Sequence, residues 1–174
     1  LLTSRIGGPS VFPPMPDDVA ALSYANNFKW ATSAGEDRYR RGMYTFFKRT
    51  APHPDLVTFD CPDANLTNVK RSVSDTPLQA LTTLNAEAFA EAAKALAKRV
   101  LGGGRASDDE RIILAFRLCV SRVPSATEVA SLRMLLYDSR AWYEARPDEA
   151  GALAAGGGAF FGEQAAWIST VRVV

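Results

Sequence analysis

The sequence contains one histidine, His53, and two cysteines, Cys61 and Cys119, in 174 residues. Those three side chains cannot supply the four Cys/His ligands of an ordinary structural zinc site. Any Ser-His-Asp chemistry would have to run through His53. Charge of one sign is also lacking. Twenty Lys and Arg stand against nineteen Asp and Glu, a net charge of +1, which excludes a polyanion binder working through bulk charge, so no nucleic-acid partner is expected. No run approaches the roughly 20 apolar residues of a membrane span, and no signal peptide is visible. Gly7-Gly8, Gly102–Gly104 and Gly156–Gly158 fit neither GxxxxGK[ST] nor GxGxxG, and no CxxCH haem motif occurs. Catalytic residues, a metal site and a cofactor are therefore not assigned.

What is present is ordinary globular composition, 47% hydrophobic and 22% charged, at the length of one domain. We read residues 1–174 as a single domain cut from a longer polypeptide. The chain begins Leu1-Leu2 and ends Val173-Val174 in an apolar pattern, with no capping or turn chemistry at either end. Strand signals are nearly absent, so the expected class is all-α: an irregular, loop-rich half over 1–75 and a helical bundle over 76–174.

The front half opens with Gly7-Gly8-Pro9 and Pro13, Pro14 and Pro16, which predicts an extended lead-in. Asp17 and Asp18 predict a short helix through Val19, Leu22 and Tyr24. Tyr39, Met43, Phe46 and Phe47 recur at i, i+4, i+7 and i+8 and predict a helix over 36–49, although Gly42 weakens it. Residues 50–75 hold Pro52, Pro54 and Pro62 among Asp, Asn and Ser, a long loop with a strand over 56–59.

In the second half, Thr76-Pro77 predicts an N-cap with proline at the first helical position, and Gln79 is expected to tie down the long loop. Asn85 is expected to cap a helix over 86–101 that buries Phe89, Ala93, Leu96 and Val100 and stops at Gly102. Ser107–Glu110 and Ser125–Glu128 are capping boxes opening two more helices. The first of these, IILAFRLCV, is apolar nearly all round and is placed at the centre of the bundle, with Cys119 buried and Cys61 exposed. The second buries Val129, Leu132, Leu136 and Tyr143 and stops before Pro147. Gly151 and Gly156–Gly158 read as a flexible joint before a last helix over 162–174.

The residues able to bind something gather in the front half. Arg40, Arg41, Lys48, Arg49 and Arg71 lie among Tyr44, Asp60 and Asp63, where the 36–49 segment meets the long loop. Interleaved arginines and aromatics suit a glycan or another polar ligand. The competing reading is that the arginines neutralise Asp55, Asp60 and Asp63 and pin the loop. Calcium chemistry lacks a matching spacing, and a Cys61/His53 dyad is the only nucleophile–base pair available.

Four segments, IGGPSVFPPMPD (6–17), YRRGMYTFFKRTAPHPDLVTFDCPD (39–63), VKRSVSDTPLQALTTLNAEAFAEAAKALAKRV (69–100) and ERIILAFRLCVSRVPSATEV (110–129), carry a resemblance. They are similar to the planctomycete-specific domain of unknown function found at the C-terminal end of large exported bacterial proteins. Those proteins carry a cytochrome c-like module and a second uncharacterised domain upstream. The resemblance implies a periplasmic or cell-surface location and no established catalytic residues. It also implies partners among the other domains of the same polypeptide, with a polysaccharide or a surface protein as further candidates. The family tends to have proline where His53 stands and a small residue where Cys61 stands, which weakens the dyad. The expected role is a non-catalytic helical interaction or scaffold module. The alternatives are a glycan- or polar-ligand-binding module, or part of a polysaccharide-active enzyme.

Overall fold

A computed structural model describes residues 2–21, 29–104, 107–154 and 161–174. The described residues form an all-α structure without strands. Its helices are α1 (Asp17–Ala21), α2 (Pro54–Thr58), α3 (Pro77–Asn85), α4 (Glu87–Leu101), α5 (Asp108–Val120), α6 (Ala126–Glu144), α7 (Pro147–Ala154) and α8 (Phe161–Val171). Among the described residues, no helix is long and apolar enough to cross a membrane. The chain forms two compact units, Leu1–Phe89 and Ala90–Val174, with the division inside α4.

In the first unit the lead-in chain is held by backbone pairing. Val11 donates to the Tyr44 carbonyl at 2.8 Å and accepts from the Phe46 N–H at 2.8 Å. Phe12 meets the Trp30 ring edge-on, with centroids 5.1 Å apart, and also packs on Phe46. These contacts explain why 36–49 is not the expected helix. Two short 3-10 turns, Gly35–Tyr39 and Gly42–Tyr44, are separated by extended Arg40 and Arg41. The aromatics find partners in the lead-in instead of on one helical face, and Met43 is left 75% exposed. A Cβ on Gly42 would meet the Leu56 side chain at 3.0 Å, so glycine here admits a close packing contact.

The strand expected over 56–59 is also corrected, because that stretch belongs to α2. Pro54 occupies its first turn and the His53 ring accepts from the Asp55 N–H, so a helix-start signal was present in His53-Pro54-Asp55. Asn85 ends α3 and donates back to the Leu81 carbonyl rather than capping α4. Leu22 and Tyr24, expected in the first helix, and Gly156–Gly158, expected in a joint, lie outside the described residues. Gly151 lies inside α7, opened by Pro147, and is not part of a joint.

The second unit follows its capping chemistry. Helices α4, α5 and α6 are consecutive, and both expected capping boxes form, Ser107 with Glu110 and Ser125 with Glu128. The Glu128 carboxyl, which receives the Arg122 guanidinium and the Ser125 N–H, is held down at about 2. Ala93, Ala97, Val100, Ile112, Phe116, Leu132 and Leu136 build the core with Trp167, Ile168 and Val171. The most enclosed helix is α8, not α5. Ala165, Ala166, Trp167, Ile168, Thr170 and Val171 are all buried there, against α6 and α7. The last turn of α5, Arg117 to Val120, is exposed all round, whereas Arg111 is half-buried and pairs with Asp108 at 3.5 Å. Cys119 is therefore exposed and Cys61 half-buried, the reverse of expectation, and both are free thiols.

One polar fork fastens this unit. Arg140 on α6 donates to both Asp108 oxygens, at 2.5 and 3.0 Å, and to both Glu163 oxygens, at 2.6 and 2.7 Å. Glu163 also accepts from the Trp167 indole. Both carboxylates lie in first helical turns, where the backbone N–H groups favour negative charge. Hydrogen bonds from Arg140 hold both carboxyls below their usual range. Their stabilisation is thus present above the unfolded-state values near pH 4 and is lost as pH falls through the depressed folded values. Arg140→Met is expected to cost about 2 kcal/mol at neutral pH. Melting curves from pH 7 to pH 2 should show the gap between variant and parent narrowing toward the acid end.

Candidate functional site

The eight residues singled out from sequence do not meet at one point; they form three separate arrangements. In the first, Gly7 and Gly8 adopt positive φ values of 78° and 97°. This lets the lead-in backbone wrap the Arg40 guanidinium. Arg40 is 7% exposed and donates to the Arg5 and Gly7 carbonyls at 3.2 and 2.5 Å. Its guanidinium lies 3.8 Å from the Tyr44 ring centroid, and that of Arg41 lies 5.8 Å away. The Tyr44 hydroxyl accepts from the Gly7 N–H at 3.0 Å. That hydrogen bond, with the nearby Arg41 and Arg40 charges, lowers the phenol from its ordinary value. A Cβ on Gly8 would come within 3.3 Å of both Arg40 and Arg5. The first glycine pair therefore serves a close approach to arginine.

The second arrangement closes the long loop. Asp60, in the left-handed region at φ 58°, accepts from the Ser74 N–H at 2.7 Å and from its hydroxyl. These bonds keep its carboxyl below the usual range. Arg71 donates to the Asp60 and Phe59 carbonyls, each at 3.1 Å. Gln79, buried on α3, donates to the Thr58 carbonyl and the Ser74 hydroxyl, both at 2.9 Å. Gln79 also completes the capping box with Thr76. Here the Thr76 cap and the loop-tying role of Gln79 are as the sequence predicts. Ser74 was missed. A polar loop residue of this kind carries no signal until the chain brings it 14 residues back to Asp60.

The third is smaller. Arg49 donates to the Asn65 side-chain oxygen at 3.1 and 3.3 Å, and Asp63 accepts from the Asn65 N–H at 2.9 Å. That backbone bond is the main cause of the lowered Asp63 carboxyl. Lys48 is half-buried and adjacent to Arg49 in sequence. An open cavity of about 440 Å³ lies over this part of the loop. Asp60, Cys61, Asp63, Leu66, Asn68 and Ser72 are among its lining residues.

The arrangement limits the chemistry. His53 is 3% exposed, with Nε2 2.9 Å from the Pro14 carbonyl and Nδ1 accepting from the Asp55 N–H. A ring carrying its proton on Nε2 satisfies both contacts. Neither nitrogen is left to activate Cys61. Asp55 has a carboxyl raised above its usual range, through burial. Asp60 and Asp63 are both pushed toward the ionised form, the opposite of a general acid. Among the described residues, no three His, Cys, Asp or Glu side chains converge to hold a metal ion.

Among comparisons with known proteins, the family model PSD1, described as a protein of unknown function (DUF1553), matches residues 1–136. No curated protein and no solved structure matches.

Replacing Thr76 with Ala should remove one cap and cost about 1 kcal/mol. Gln79→Ala should cost more, about 2 kcal/mol, because it also strands the half-buried Thr58 carbonyl and the Ser74 hydroxyl. Urea unfolding of the two variants checks the order, and hydrogen exchange over residues 59–75 should rise in Gln79→Ala above the global effect.

Proposed function

This chain belongs to the PSD1 family of proteins of unknown function (DUF1553), and from that premise we propose that it is a non-catalytic interaction module. It docks on neighbouring domains of a longer, exported polypeptide of the planctomycete type associated with a cytochrome c-like module. The likeness of the four sequence segments supports that setting. One observation carries the docking role. Residues 61–75 are fastened at their base by Asp60, Arg71 and Gln79. Yet Leu66, Val69 and Val73 on the same loop are 81%, 99% and 93% exposed. A loop that is anchored in this way and presents apolar side chains to solvent is suited to receive a partner surface.

Arg40 and Arg71 donate to main-chain carbonyls, which supports a role in the fold for these two arginines. A second reading, a site for a glycan or another polar ligand, draws support from the open cavity beside Asp60, Asp63 and Asn68. An enzyme acting on a polysaccharide would need an acid and a base facing across a cleft. Asp60 and Asp63 lie on the same loop and both favour the carboxylate.

The two readings separate under mutation. Val69→Glu with Val73→Glu should leave the melting temperature of the chain within about 2 °C, as expected for exposed positions. In a longer polypeptide carrying the upstream domains, the pair should remove the protection of residues 61–75 from hydrogen exchange. Unchanged protection there, with polysaccharide binding lost on Asp63→Ala, would favour the ligand-binding reading.

A further inference from the structure

Helix α6 has two apolar faces. Leu132, Leu136 and Ser139 are buried against the core. At 100° per residue, Ala130, Met134, Tyr137 and Ala141 fall within about 60° of arc on the opposite side. All four are exposed, Met134 by 68% and Tyr137 by 72%. Their spacing of four, three and four is that of alternating d and a positions in a coiled-coil seam. In this register Arg133 occupies g and Asp138 occupies the e position five residues later. Those are the positions whose side chains meet across two parallel helices.

We propose that this outer face of α6 pairs in parallel with α6 of a second copy of the chain. Ala130, Met134, Tyr137 and Ala141 form the seam, flanked by two symmetry-related Arg133–Asp138 pairs. The charges choose both partner and direction. Arg133 holds Asp109 through Nε and Nη2, which leaves its Nη1 donors for Asp138 of the other copy. An antiparallel pair would set g against g and bring Arg133 toward a second arginine, Arg140. Because the seam lies opposite the core-facing side, the remaining helices of the unit point away from the partner helix. A self-complementary patch of this kind closes on itself as a two-fold dimer.

The pairing goes beyond the docking role above: it uses another face and another partner, and either can fail alone. Four seam residues bury less than the roughly 1,200 Å² at which stable interfaces begin. The dimer is therefore a weak, transient one.

Sedimentation equilibrium of the full chain, carried to about 1 mM, should show a reversible dimer. Tyr137→Glu should weaken it at least tenfold, and Asp138→Arg about tenfold. Combining Asp138→Arg with Arg133→Asp should restore it. Circular dichroism melts verify that these exposed substitutions leave the fold intact. Direction is read by oxidation in a Cys61→Ser, Cys119→Ser background. Ala130→Cys alone should give a disulfide-linked dimer. A chain that stays monomeric, a charge swap without rescue, or cross-links only when Ala130→Cys and Ala141→Cys chains are mixed would each overturn the proposal.

Discussion

Long buried polar side chains that reach distant main-chain carbonyls shape residues 1–89 more than apolar burial does. Three of the side chains most enclosed there are Arg40, His53 and Gln79. Each reaches main-chain carbonyls of a distant segment: Arg5 and Gly7 for Arg40, Pro14 for His53, Thr58 for Gln79. Irregular backbone has carbonyls that no helix or sheet satisfies. Long polar side chains supply the donors. The lead-in, the 3-10 turns and the long loop are thereby ordered without a ladder or a large apolar core. The cost of losing one such donor is the desolvation of a stranded carbonyl.

Residues 90–174 obey a different balance. Their core is assembled from small and medium apolar side chains around Trp167, with Ala165 and Ala166 on α8 and Ala150 and Ala154 on α7 buried beside it. Alanine lets helices approach closely, so much of the enclosed surface is backbone and Cβ. Arg140 adds direction to this otherwise smooth packing, because a fork with two carboxylates aligns the starts of α5 and α8 against α6. Apolar burial supplies the attraction, and the fork selects one arrangement among similar ones.

The candidate site was legible only in part, and the legible part was local. Thr76-Pro77-Leu78-Gln79 announces its cap because every partner lies within one helical turn. Asp60 and Asp63 were visible as carboxylates on a long loop, but Ser74 and Asn65, which bind them, look like any loop residues. The arginines were seen as a charge cluster. Their partners turned out to be carbonyls and an amide oxygen rather than the loop carboxylates. Main-chain acceptors leave no trace in a sequence, since every residue has one.

The starts of α3, α5 and α6 follow from sequence alone: the Thr76-Pro77 cap and the two capping boxes act through neighbours three residues away, whatever the rest of the chain does. The all-α class follows from the same periodicity. Tertiary structure decided the matters that depend on long-range competition. Over 36–49 the helical spacing of Tyr39, Met43, Phe46 and Phe47 lost to pairing with Val11 and stacking on Phe12, because the lead-in supplies backbone partners from a distant part of the chain. On α5 and α8, both apolar in sequence, charge broke the tie. Arg117 keeps the last turn of α5 in water, and α8, with no charged residue from Gln164 to Val171, takes the interior.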